Sequence, residues 1–170
     1  MKTFRTFLEN TSGPDWTRSG PEESPSFHHK TYIDGHEVNC FFDNVSSEHM
    51  PHAYDISFNV NGRTLASKDG GMDPVTSRKI YNHFQRSIGN LVANPPNKVP
   101  ISHITYESAA SKKDAQGVTV ADVEASKKKG QIMHHILKRL KFVAPDNSNI
   151  SLQPSSYGDH KVSVDLTKLS

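Results

Sequence analysis

Lys127, Lys128, Lys129 and Gly130 stand in the run Ala125-Ser126-Lys127-Lys128-Lys129-Gly130-Gln131, directly before an apolar helical stripe. Cations and a glycine where a helix opens suit an anion such as phosphate, because the first-turn N–H groups are free and the dipole is positive there. A solvated lysine run at a loop accounts for the same residues without any ligand. The ten histidines raise a metal reading, through His28-His29, His49 with His52, and His134-His135. Adjacent histidines on a helix point about 100° apart and rarely share a metal. The His49/His52 spacing has no Glu-x-x-His or cysteine pair to support it. Structural or surface roles are therefore expected for the histidines, and no metal is expected. His103 shares a strand face with Ile101 and reads as a core or boundary histidine rather than a base. Ser126 and His134 lie eight apart, but nothing argues for a triad. A phosphate-binding Walker loop, a Gly-x-Ser-x-Gly elbow and a dinucleotide fingerprint are all missing from the sequence.

These residues must be positioned by the block from Tyr54 to Phe142. Tyr54, Ile56, Phe58 and Val60 alternate with Asp55, Ser57, Asn59 and Asn61. Period two puts one set on a buried face and the other towards water. Asn61-Gly62 accepts positive φ and closes the strand, so Arg63 to Ala66 reads as a short return strand. Asp73-Pro74 opens a helix, with the aspartate as cap and the proline at a position that needs no N–H. Ile80, Phe84, Ile88 and Leu91 give that helix one apolar stripe. Asn94-Pro95-Pro96 ends it. A second strand is expected over Ile101–Tyr106. A second helix, with stripe residues Ile132, Met133, Ile136, Leu137 and Leu140, is expected to end near Phe142, where Lys138, Arg139 and Lys141 complement the dipole.

Around this block, residues 30–34 and 36–45 form an expected hairpin about Asp34-Gly35, with Val38, Cys40 and Phe42 facing one side. Ile150–Leu152 and Val162–Leu166 are the expected final strands. Residues 118–124 read as a strand or as an early helix capped by Thr119. The fold class is α+β, a small mainly antiparallel sheet with two helices packed on it, in an order near β-β-β-β-α-β-α-β. Residues 31–170 are expected as one domain and residues 1–30 as an arm, rich in Pro, Gly and Ser from position 10 onwards. Phe4, Phe7 and Leu8 share one face of a two-turn helix too short to be stable alone. Trp16, the only tryptophan, lies in the arm as an anchor for a partner or for its own domain.

Composition bounds the rest. The 170 residues carry 20 basic and 18 acidic side chains, a balance that gives no charge argument for nucleic acid. With 34% apolar residues the chain can bury a core, though a modest one. The single cysteine, Cys40, excludes an intrachain disulfide and fits a reducing compartment and a buried apolar role. There is no apolar run of membrane-spanning length. Met1-Lys2-Thr3-Phe4 lacks the apolar core of a secretory signal.

Two resemblances add expectations. The start Met1-Lys2-Thr3-Phe4, followed by Phe7-Leu8-Glu9, resembles the starts of many proteins of large contractile-tailed bacteriophages, including the capsid-targeting peptides of internal head proteins. The block from Tyr54 to Leu140 is similar in layout to uncharacterised phage proteins. This implies a virion or host-cytoplasm setting. Separately, residues 118–130, a strand followed by Lys127 to Gly130, resemble the acyl-CoA pyrophosphate loop of the GNAT N-acetyltransferases. That implies a GNAT-like layout with acetyl-CoA held near Lys127, Lys129 and Gly130. Lys127 stands where the family has Arg or Gln, and Ile132 where it has a small residue.

The leading expectation is a non-enzymatic, virion-associated structural or assembly protein. Phe4, Phe7, Leu8 and Trp16 would contact other phage structural proteins or a second copy of the chain. The alternatives are an acyltransferase using acyl-CoA, and a phage protein that binds a host factor.

Overall fold

The computed structural model describes residues 16–63 and 72–169. The sheet opens with β1 (Thr17–Ser19), β2 (Ser26–Ile33), β3 (His36–Asn44) and β4 (Ala53–Val60). Helix α1 (Pro74–Ala93) follows, then β5 (His103–Ser108), a small β6 (Ser111–Lys113) and β7 (Thr119–Ala121) pair, and helix α2 (Val123–Leu137). The chain ends through β8 (Ile150–Pro154) and β9 (His160–Asp165). The strand order in the main sheet is β1-β2-β3-β4-β5-β9-β8. Every neighbouring pair is antiparallel except β4 with β5. The α+β class and the two helices on a mainly antiparallel sheet are as the sequence pattern implies.

Turn chemistry sets the registers. Asp34 (φ 48°) and Gly35 (φ 81°) both take positive φ between Ile33 and His36, the geometry of a tight hairpin. Asn61 (φ 51°) and Gly62 (φ 73°) do the same between Val60 and Arg63, whose backbones exchange hydrogen bonds of 2.8 and 3.0 Å. The rest of the expected return strand, residues 64–66, lies outside the described residues.

One sheet face is apolar and carries both helices. Val38, Cys40 and Phe42 on β3 lie opposite Val60, Phe58 and Ile56 on β4, and all six are buried. Tyr54, Ile104 and Val164 continue the face across β4, β5 and β9. Phe84 of α1 stacks on Phe58 with centroids 4.0 Å apart, while Ile80, Ile88 and Leu91 are fully buried along the same stripe. Asp73 caps α1 by accepting from Val75 N and Thr76 N. Gly130 lets α2 approach β8 and β9. A Cβ there would stand 2.9 Å from Leu152 Cδ1 and 3.3 Å from His160 Cβ. The opposite face is polar and holds Asp43, Asp55, Thr105, Glu107, Lys161 and Asp165.

Several boundaries differ from the sequence expectation. Residues 17–30, expected in an arm, supply β1 and the first part of β2. Their apolar content is low because β1 is an exposed edge strand and needs little. The strand expected at Ile101–Tyr106 runs from His103 to Ser108, since Ile101 is buried ahead of the ladder rather than within it. The second helix starts at Val123 and stops at Leu137. Leu140 and Phe142 are half-buried in the turns beyond it. Residues 119–121 form a strand, one of the two alternatives for 118–124, whereas the helix opens only at Val123 with Asp122 as its cap, so no early helix capped by Thr119 forms. No helix among the described residues is long and apolar enough to cross a membrane.

Candidate functional site

The parallel pair β4/β5 does not stay paired. Its register covers Ala53↔His103, Tyr54↔Ile104 and Asp55↔Thr105, and no further. At the last of these pairs Thr105 Oγ1 donates to Asp55 Oδ1 at 2.7 Å. Beyond it the strands part, and a cleft of about 230 Å³ opens between their carboxyl ends. Binding sites in open sheets concentrate outside the carboxyl ends of parallel strands, where diverging strands leave room.

The backbone of Phe58 faces this cleft. Asn61 N donates to Glu37 O on β3, whereas Val60 N turns the other way, to Arg63 O. Alternation along the strand then turns the N–H and C=O of Phe58, two residues back, away from β3, to the side on which Tyr54 meets β5 and Val60 meets Arg63. Because the β4/β5 register has ended, no strand among the described residues pairs with these two groups. An unpaired N–H and C=O on a strand edge form a template for an extended, amide-bearing ligand.

The walls combine apolar surface with a few polar groups, the usual makeup of a small-molecule site. Phe58, Met133 and Ile136 form the buried side, and Ile132, 45% exposed, stands at the mouth. Tyr81 of α1 and Tyr106 of β5 contribute phenols. Among the described residues neither hydroxyl has a hydrogen-bond partner. Burial pushes both phenols above their ordinary pKa, so each is a protonated donor at neutral pH. Glu107 lies at the mouth towards the polar sheet face, and its Oε1 accepts from Ser155 Oγ at 2.5 Å. Ser57 lines the same mouth.

Of the residues expected to hold an acyl-CoA diphosphate, one lies here. Lys129 lines the cleft, and its Nζ donates to Ala109 O at 2.9 Å. Lys127 is exposed, and Gly130 is packed against β8 and β9 inside α2. The expected loop at 125–131 is thus helix interior, where the backbone N–H groups of 127–130 are already used in the helix ladder. The helix is capped five to eight residues before them, at Asp122, whose carboxylate accepts from Ala125 N. The three lysines hid this start, because no glycine or proline marks it.

Trp16 packs on its own domain, with ring centroids 4.8 Å from Phe42 and 5.7 Å from His29. Phe4, Phe7 and Leu8 lie outside the described residues. His103 is half-buried on the polar face, with Nε2 3.6 Å from Asp165 Oδ1. Among the described residues no three His, Cys, Asp or Glu side chains gather where they could hold a metal ion. Cys40 is fully buried, and desolvation pushes its thiol up to about 12.

A Ser–His contact does occur, between Ser126 Oγ and His160 Nδ1 at 3.2 Å. It is not a nucleophile. Ser126 is fully buried and its hydroxyl donates to Ser108 O at 2.8 Å, while Ser108 Oγ donates back to Ser126 O at 2.8 Å. This closed set pins α2 to β5 and β9. The cleft residues Tyr81, Tyr106 and Glu107 escaped sequence reasoning, since each sits at an ordinary position in a strand or helix pattern. The one available signal was the break in alternation after Tyr106, where Glu107 and two small residues follow. Compared with family models, with curated proteins and with solved structures, the chain has no match.

Proposed function

We propose that the protein is an acyltransferase that takes the acyl-pantetheine arm of an acyl-CoA between β4 and β5 and passes the acyl group to an amine. The observation that carries this is an apolar cleft into which two phenols and the backbone N–H and C=O of Phe58 face, none of them paired among the described residues. A pantetheine arm is extended and bears two amides, so it can hydrogen-bond to a strand edge as another strand would. At about 230 Å³ the cleft suits that arm and a short acyl group, leaving the nucleotide outside.

The thioester supplies an activated carbonyl. Tyr106 donates a hydrogen bond, and then a proton, to the departing sulfur. Glu107, at the opposite mouth, accepts the proton that the amine loses on attack. The neighbouring Asp55 and Asp43 draw an amine to that mouth in its cationic form, which loses its extra proton to solvent before the neutral amine attacks. Lys129 stands at the rim as the cation nearest the arm.

A thermal shift with acetyl-CoA tests binding. Ligand at 100 times its dissociation constant adds about 2.7 kcal/mol of stability. Thiol release with a panel of primary amines then tests transfer. No shift at millimolar acetyl-CoA removes the proposal.

A second reading, a virion-associated assembly protein acting through protein contacts, is favoured by the phage-like Met1–Glu9 start. Mass spectrometry of purified virions tests it, and absence of the chain from particles removes it.

A further inference from the structure

Charge is divided unevenly between the two layers. Residues 74–93 and 123–141, the helices and the turn after α2, hold nine lysines and arginines and one carboxylate, Glu124. The whole chain nearly balances, at 20 basic against 18 acidic. The helix layer is therefore basic and the sheet with its loops acidic. Between α1 and the turn after α2 runs a groove of about 840 Å³. Its floor is apolar, with Val92, Leu140 and the half-buried Phe142. Arg86, Arg139 and Lys141 stand exposed on its rim. None of these three makes an ion pair among the described residues. The groove lining contains no Asp or Glu. Gly89, at its centre, leaves the floor open, and a Cβ there would make only ordinary contact, 3.8 Å from Leu140 Cδ2.

We infer that this groove docks an acidic amphipathic helix of a partner protein. Its apolar stripe would lie on Val92, Leu140 and Phe142, and its carboxylates would meet Arg86, Arg139 and Lys141. Charge complementarity selects an anionic occupant. The floor selects a peptide over a nucleic acid. A phosphate backbone gains from the cations but nothing from an apolar floor, and bases need exposed aromatic planes to stack on, whereas the one aromatic in this lining, Phe142, is half-buried; a helix with anchors at i, i+3, i+4 and i+7 fills such a groove. The inference is independent of the β4/β5 cleft.

The test uses a fluorescein-labelled peptide of about 14 residues, long enough for a marginal helix, with leucines on one face and glutamates on the other. A lysine-for-glutamate version and a labelled oligo-dT serve as comparisons. Fluorescence anisotropy should show saturable binding of the acidic peptide that weakens with salt. Combining Arg86→Glu with Arg139→Glu should weaken it about tenfold or more, and so should Gly89→Leu, which fills the floor. Lys127→Glu with Lys128→Glu, outside the groove, should leave it unchanged. Each variant is first checked for an unchanged far-UV spectrum and cooperative melt. No saturable binding at about 1 mM peptide overturns the inference. So does binding that Gly89→Leu leaves intact, or oligo-dT that binds more tightly than the peptide, since either makes the surface a charge-driven polyanion site.

Discussion

Thr105 Oγ1 donates to Asp55 Oδ1 at 2.7 Å across the last register pair of β4 and β5. The bond sits where the parallel pairing of β4 with β5 ends and the cleft begins. Burial holds the Asp55 carboxyl above its usual range, against the lowering effect of Thr105. A carboxyl whose folded pKa is raised binds its proton more tightly in the native state. Stability therefore falls as pH rises from the unfolded carboxylate range through the folded pKa. Asp55→Asn keeps an acceptor for Thr105 and removes the buried charge. Urea unfolding should find this variant more stable than the parent at pH 7, with the difference shrinking as pH drops below the unfolded carboxylate range.

His83 works in the opposite direction. Burial, with help from His29 and Arg86, lowers its pKa from 6.5 to about 4. The unfolded chain binds the extra proton between those values, so stability is lost as pH falls from about 6.5 towards 4. His83→Gln should flatten that part of the stability profile. An unchanged slope in the variant would mean that His83 is not the group responsible.

The two helical glycines should respond oppositely to substitution. Gly89→Ala places a Cβ in open groove space and gains about 0.5–1 kcal/mol from helix propensity. Gly130→Val drives side-chain atoms into Leu152 and His160, where overpacking costs about 1–3 kcal/mol. Denaturant midpoints at constant m-value read both effects.

Much of the fold was legible because burial imposes period on sequence. Alternation over Tyr54–Val60 marked β4, and Ile80, Phe84, Ile88 and Leu91 marked the buried stripe of α1. Asp34-Gly35 and Asn61-Gly62 marked two turns through their positive φ. β1 and the early part of β2 were not legible, because an exposed edge strand needs no apolar alternation. The start of α2 was obscured by Lys127–Lys129, which suggested a loop where the helix was already under way. The cleft was not legible at all. It arises from where two strands stop pairing, and that depends on register, which no single residue type announces.

Tyr106 and Ala109 separate binding from chemistry at the cleft. Ala109 is exposed at the mouth, so Ala109→Trp should block acetyl-CoA without altering the melt of the free protein. Tyr106→Phe keeps the wall and loses the donor. It should retain the thermal shift while lowering the transfer rate about 10²-fold or more, the scale of a lost general acid. Equal loss of binding and rate in Tyr106→Phe would make the phenol a binding group only.

The Phe58 backbone is paired with no strand among the described residues, and amide hydrogen exchange at that residue tests most directly whether it stays open to a ligand. The Phe58 N–H should exchange much faster than that of Asn59, which is paired with Asn39 on β3. It should become protected when acetyl-CoA is added, and Ala109→Trp should abolish that protection. A Phe58 amide already protected in the free protein, or one that acetyl-CoA leaves unchanged, would contradict both the open strand edge and the function built on it.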